Sequence, residues 1–281
     1  MSISPLDYSL STFLCLVFLV PINVSGSSYL LASQSTHEEV KFPLRSTYSN
    51  TITISHSALK NNLEKYLIID VRSAYEFNVL HINTAINIPI TNLGFIPKIQ
   101  TLRLKDKRSI IFYCNGITCR KSYLANIQAQ KSKIKNVITF DLGILPWAKL
   151  YPEQTSYFGK KSLPLDKLIS KEKFDSHNLS PEDFIKKVNQ NSLLIDIREP
   201  FQRQGSPLNK LSIHAPINDF HNLLTTIKKQ KSTLLIFDEV GKQIIWLQYL
   251  LEQQGITNYY FMSGGIEAYL AANLDKTYPD Y

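Results

Sequence analysis

Short, unalternating runs of β-branched and aromatic residues recur along the chain. They are Leu67-Ile68-Ile69, Ile110-Ile111-Phe112-Tyr113, Val137 to Phe140, Leu193-Leu194-Ile195, Leu234-Leu235-Ile236-Phe237 and Tyr259 to Met262. Runs of that length without polar alternation predict strands buried on both faces of a parallel sheet. Helical patterns separate them. Ser122 to Lys131 is one; Gln243 to Gln254 is another, with Ile244, Leu247 and Leu251 on one face and Gly255 as its stop. Ser180-Pro181-Glu182-Asp183 opens a further helix, with Ser180 as N-cap, Pro181 in the first turn and two acids behind it. Strands alternating with helices predict an α/β architecture with right-handed crossovers.

The pattern occurs twice. Leu67 to Arg72 (LIIDVR) returns as Leu193 to Arg198 (LLIDIR), and Ile110 to Cys114 (IIFYC) returns as Leu234 to Asp238 (LLIFD). Val137 to Gly143 returns as Tyr259 to Gly265, with Trp147 and Tyr269 at matching distances beyond the glycines. One fold used twice is the expectation: a first domain over 46–152 and a second over 178–281. Between them, 153–177 is rich in Lys, Pro and Ser and predicts a linker, or an arm packed across the domains.

With 281 residues, 44% of them hydrophobic, the chain can bury two ordinary cores. Its net charge of +8 comes from scattered lysines with no long like-charge run, so nucleic acid is not the expected partner and small anions suit the charge as well. Leu10 to Val20 is an apolar or small-residue run followed by Pro21 and then Val24-Ser25-Gly26. It predicts a signal peptide over 1–26, being too short for the roughly 20 residues of a spanning helix. Asp7, and no Lys or Arg, precedes the run, which keeps an uncleaved membrane anchor as the alternative. The expectation is therefore a secreted or periplasmic protein without a stable membrane span, beginning with a flexible segment over 27–45. Cleavage would remove Cys15 and leave Cys114 and Cys119 in an oxidising compartment, where they could pair.

The segment Ile110 to Ser122 (IIFYCNGITCRKS) runs from a buried strand through a Gly-containing loop into a helix. At such a strand end, loop N–H groups and the positive end of the helix dipole both favour an anion, here a thiolate. Arg120 and Lys121 add positive charge. The bland alternative is an ordinary buried cysteine.

These residues resemble the rhodanese family, as a tandem pair covering nearly all of the mature chain. The resemblance rests on Asp70-Val71-Arg72, Glu76-Phe77, His81-Ile82 and Ala85 to Pro89, on Phe112 to Gly116 with Cys119 and Ser122, and on Gly143 with Trp147, where Leu142 replaces a first glycine. It implies an α/β fold of two rhodanese-like domains, each a parallel-sheet sandwich with helices on both faces. It also implies a sulfurtransferase: Cys114 takes sulfane sulfur from a thiosulfate-like anion, becomes a persulfide, and passes the sulfur to a thiol or cyanide, or to a thiol-bearing protein partner. The backbone amides of the loop, Asn115, Gly116, Ile117, Thr118, Cys119 and Arg120, would cradle the sulfur, with Cys119 as a candidate resolving thiol. Asp70 and Arg72 would brace the loop as an ion pair, and His81 would be structural. No cofactor and no metal are implied.

The chain departs from that pattern in two places. Asp238 stands at the second domain's cysteine position and cannot carry a persulfide, which suggests an inactive module and keeps a silent sulfur-carrier or partner-docking protein as the alternative function. Cys114 and Arg120 are separated by five residues, the Cys-x5-Arg spacing of cysteine-dependent phosphatases and rhodanese-like arsenate reductases, which is a further alternative. Gly-rich phosphate loops, dinucleotide fingerprints and zinc spacings are absent from the sequence.

Overall fold

The computed structural model describes residues 41–203, 207–229 and 231–272. Residues 1–26, read above as a signal peptide, and residues 27–40 lie outside them.

Both halves follow the same course. The first contains α1 (His56–Lys60), β1 (Tyr66–Asp70), α2 (Ala74–Val79), β2 (Leu80–Ile82), β3 (Ile86–Asn87), α3 (Phe95–Lys105), β4 (Ser109–Tyr113), α4 (Lys121–Lys131), β5 (Val137–Phe140), α5 (Ile144–Leu150) and β6 (Thr155–Tyr157). After α6 (Lys171–Ser176) come β7 (Asn178–Leu179), α7 (Pro181–Lys186), β8 (Ser192–Asp196), β9 (Ile213–His214), α8 (Phe220–Lys229), β10 (Thr233–Phe237), α9 (Ile244–Gln253), β11 (Tyr259–Met262) and α10 (Gly265–Ala271).

The strand orders are β3-β1-β4-β5 and β7-β11-β10-β8-β9, every pairing parallel. Register repeats as well: Asp70 lies opposite Tyr113, and Asp196 opposite Phe237. The place that β7 takes beside β11 is held in the first half by a single parallel bridge, Thr53 to Thr139. The two-domain α/β fold expected from the repeat is therefore present.

Strand side chains alternate between two apolar layers, as a sheet covered on both faces requires. In the first half Ile68, Ile111 and Tyr113 face one layer, while Ile69, Phe112 and Cys114 face the other. Trp246 and Tyr249 of α9 pack into the first of these layers, so the second half completes a core that the first begins.

Segment 153–177 is an arm. Strand β6 pairs antiparallel with β2, the Ile169 amide donates to the Tyr249 hydroxyl at 3.3 Å, and Lys173 pairs with Glu252 at 2.6 Å. Of the segment expected to be flexible, residues 41–45 lie among the described residues. Phe42 packs on the core and Arg45 grips the buried Asp141 carboxylate at 2.7 and 3.0 Å, a charge-assisted fork that holds the segment down.

Candidate active site

Strand β4 sets Cys114 at its carboxyl end, where Tyr113 is locked in register and its phenol accepts the Ile82 amide at 3.1 Å. Cys114 is 1% exposed. The chain then turns through Asn115 to Cys119, the Cys119 amide donating to the Gly116 carbonyl at 2.9 Å, and enters α4 at Arg120. This turn carries Cys119, which is half-buried, back over the strand end. Its Sγ is joined to that of Cys114 in a disulfide with the Cα atoms 6.4 Å apart. The Cys114 Sγ also lies 3.3 Å from the Cys119 carbonyl and 3.8 Å from the hydroxyl of fully buried Ser122.

The loop rests on the turn before α5. Gly143 has φ +76°, and a Cβ there would stand 2.4 Å from the Gly116 nitrogen. Only a glycine permits that approach. The Ile144 and Leu145 amides donate to the carbonyls of Cys114 and Asn115, which ties the two loops together.

Beneath the loop lies a buried polar network. Asp70 and Arg72 are both fully buried, with bonds of 2.9 Å from Nε and 2.5 Å from Nη2 to the two carboxylate oxygens. Arg72 also donates to the Leu80 carbonyl at 2.6 Å and to the Asn115 side-chain oxygen at 3.3 Å. The Asn115 amide nitrogen in turn donates to Glu76 at 2.8 Å, and Glu76 closes a capping box with Ser73 at the start of α2. Burial pushes the Glu76 carboxyl up, but Arg72, Lys121, the Asn115 amide and the Ser73 backbone outweigh it and hold it below its ordinary value.

The side chains of the expected site residues take separate positions. Cys114, Gly116 and Cys119 form the loop around the sulfur, and Asp70 with Arg72 braces it. The Asn115 side chain turns away from the sulfur to bridge Arg72 and Glu76, and Ile117 packs into the core. Thr118 and Arg120 are exposed. His81 donates from Nδ1 to the Phe77 carbonyl at 2.7 Å and stacks on the Phe77 ring; burial lowers its pKa, keeping it neutral. Sequence reasoning missed Glu76 as the second support of Asn115, although the capping spacing Ser73-x-x-Glu76 was there to find. It also missed Trp246, whose ring lies 4.8 Å from the Arg72 guanidinium, because nothing in the sequence signals a contact across the halves.

The second half builds the same frame around an aspartate. Asp196 and Arg198 repeat the buried fork at 2.9 and 2.7 Å, and Gly265, φ +62°, repeats the close approach, to the Asp238 carbonyl. The Asp238 carboxylate turns into its own loop and accepts the backbone amides of Gly241 and Gln243, the latter at 2.7 Å. Burial raises its pKa against the lowering effect of those amides. In the second half, then, a carboxyl group of the protein itself sits inside the loop and meets its amides. Among the described residues no cluster of side chains suited to a metal ion is present, and no helix is long and apolar enough to cross a membrane.

The family model for the rhodanese-like domain matches the chain twice, over residues 55–150 and 180–272. Among curated proteins, a tRNA uridine(34) hydroxylase of Bdellovibrio bacteriovorus is 35% identical over 89 residues, 31% of this chain and 25% of that protein. One from Pelagibacter ubique is 29% identical over 104 residues, 37% and 34% respectively. The chain thus spans about a quarter to a third of the length of these relatives. Among solved structures, a thiosulfate sulfurtransferase of Pseudomonas aeruginosa is 17% identical with a TM-score of 0.34, covering 79% of this chain and 44% of that one.

Proposed function

Because the chain belongs to the rhodanese-like domain family, with the domain present twice, we propose that its first domain is a sulfurtransferase working through a Cys114 persulfide. The supporting observation is the contrast between two equivalent loops. One closes around a nearly inaccessible cysteine, the other around a carboxylate that fills it. A loop whose twin turns backbone amides onto an acceptor oxygen suits a thiolate or persulfide anion.

In the first half-reaction the Cys114 thiolate attacks the outer sulfur of thiosulfate, and the sulfur–sulfur bond of the donor breaks. Sulfite leaves and the Cys114 persulfide anion remains. A thiol or cyanide then takes the sulfur. Cys114 must be reduced for this, so the disulfide with Cys119 is a resting form that a thiol opens. Asp238 cannot take part, which leaves the second domain as scaffold. The exposed Arg120 side chain weighs against the oxyanion chemistry that a Cys-x5-Arg spacing suggests.

The test is sulfite release. The full chain, reduced and desalted, is expected to release about one equivalent of sulfite from thiosulfate. Cys114→Ser is expected to release none, and sulfite from that variant would sink the assignment. The apolar run Leu10 to Val20 supports export. Amino-terminal sequencing of protein from a secreting host checks this, a start near Ser27 being expected and an intact Met1 opposing it.

A further inference from the structure

We infer that the first domain releases its sulfur as hydrosulfide, with Cys119 as the internal reductant. This rests on the Cys114 persulfide proposed above. The observation behind it is where Cys119 sits. The turn closed by the Cys119 amide on the Gly116 carbonyl places its sulfur against Cys114 Sγ itself, the atom that becomes the inner sulfur of a persulfide.

A thiolate reaching the inner sulfur forms a disulfide and expels the outer sulfur. The Cys119 thiolate attacks Cys114 Sγ, the bond from Cys114 Sγ to the outer sulfur breaks, and that sulfur, protonated by water, leaves as HS⁻. In this step the Cys119 sulfur is oxidised and the outer sulfur is reduced. Over the whole turnover two cysteine thiols become a disulfide as the sulfane sulfur becomes sulfide, so no outside electrons are needed. The cycle closes when an external dithiol reduces the Cys114–Cys119 disulfide and becomes a disulfide itself. Summed over both stages, thiosulfate and two thiols give sulfite, hydrogen sulfide and one disulfide.

Position also favours this route over transfer to an external acceptor. Well-oriented groups in one molecule react as though at effective concentrations on the order of 10⁵ M or above, and no dissolved thiol or cyanide reaches such values. Cys114 is almost fully buried while Cys119 is half-buried, so an incoming reductant meets Cys119 first. That order suits Cys119 as the sulfur attacked when the disulfide is reopened.

The experiment is a single turnover of the reduced, desalted full chain with thiosulfate, without added thiol, reading sulfite, hydrosulfide and intact mass together. The wild type is expected to release both products in equal amounts and to end about 2 Da lighter, as the disulfide. Cys119→Ser is expected to release sulfite without hydrosulfide and to end about 32 Da heavier. A wild type that keeps the added sulfur and releases no hydrosulfide overturns this inference while leaving the persulfide reading intact. Hydrosulfide from Cys119→Ser equal to that from the wild type also overturns it. If neither protein releases sulfite, the persulfide reading fails, and this inference with it.

Discussion

The Trp246 indole of the second half lies 4.8 Å from the Arg72 guanidinium of the first, and both side chains are fully buried. Arg72 in turn holds Asn115, the residue after Cys114. The cysteine-less half is thus a structural part of the frame around the reactive loop. A cation against an aromatic face out of water is worth about 2 kcal/mol, and the ring adds its own burial. Trp246→Ala should lower stability by about 3–5 kcal/mol in chemical denaturation. Trp246→Phe should recover much of that. An alanine variant as stable as the wild type would show that the halves fold without this contact.

Gly143→Ala forces a Cβ to within 2.4 Å of the Gly116 nitrogen from a φ of +76°. The loop and the turn must then separate. Backbone strain of this kind costs about 1–3 kcal/mol before any rearrangement. Sulfite release should fall at least about tenfold, since misplacement of a reacting group by an ångström can cost on the order of a hundredfold. Unchanged release would mean that the Gly143 contact does not position Cys114.

Glu76 supplies a pH test. Its carboxyl is held below the ordinary 4.5, so the ionised form is favoured in the folded chain. The stabilisation is fully present above 4.5 and is lost as pH falls through the depressed value. Glu76→Gln lacks that contribution at every pH. The stability difference between variant and wild type should therefore shrink on acidification below 4.5, as followed by urea denaturation at several pH values. A pH-independent difference would assign the effect to shape instead of charge.

Asp238→Ala empties the second loop and leaves the Gly241 and Gln243 amides without their acceptor. Each buried group left unpaired costs about 1–3 kcal/mol, less where water enters. Stability should fall while the sulfite yield from Cys114 stays the same. A parallel loss of sulfite would show that Asp238 bears on the first loop.

Much of this protein was legible in the sequence because the signals are local. Runs such as Ile110 to Tyr113 fit strands covered on both faces, and Ser180-Pro181 announces a helix start that the structure places there. The repeat of Asp70-Val71-Arg72 as Asp196-Ile197-Arg198 predicted two matching frames, because a buried aspartate and arginine two apart pair with each other wherever the strand ends. Tertiary structure decided the rest. The Asn115 side chain binds Arg72 and Glu76, and Trp246 reaches across the halves; both depend on which elements meet in space. The spacing of Cys114 and Cys119 allowed a disulfide, but only the turn at Gly116 and its seat on Gly143 bring the two sulfurs together. A sequence states which groups are available along the chain, and packing fixes the distances on which their chemistry depends.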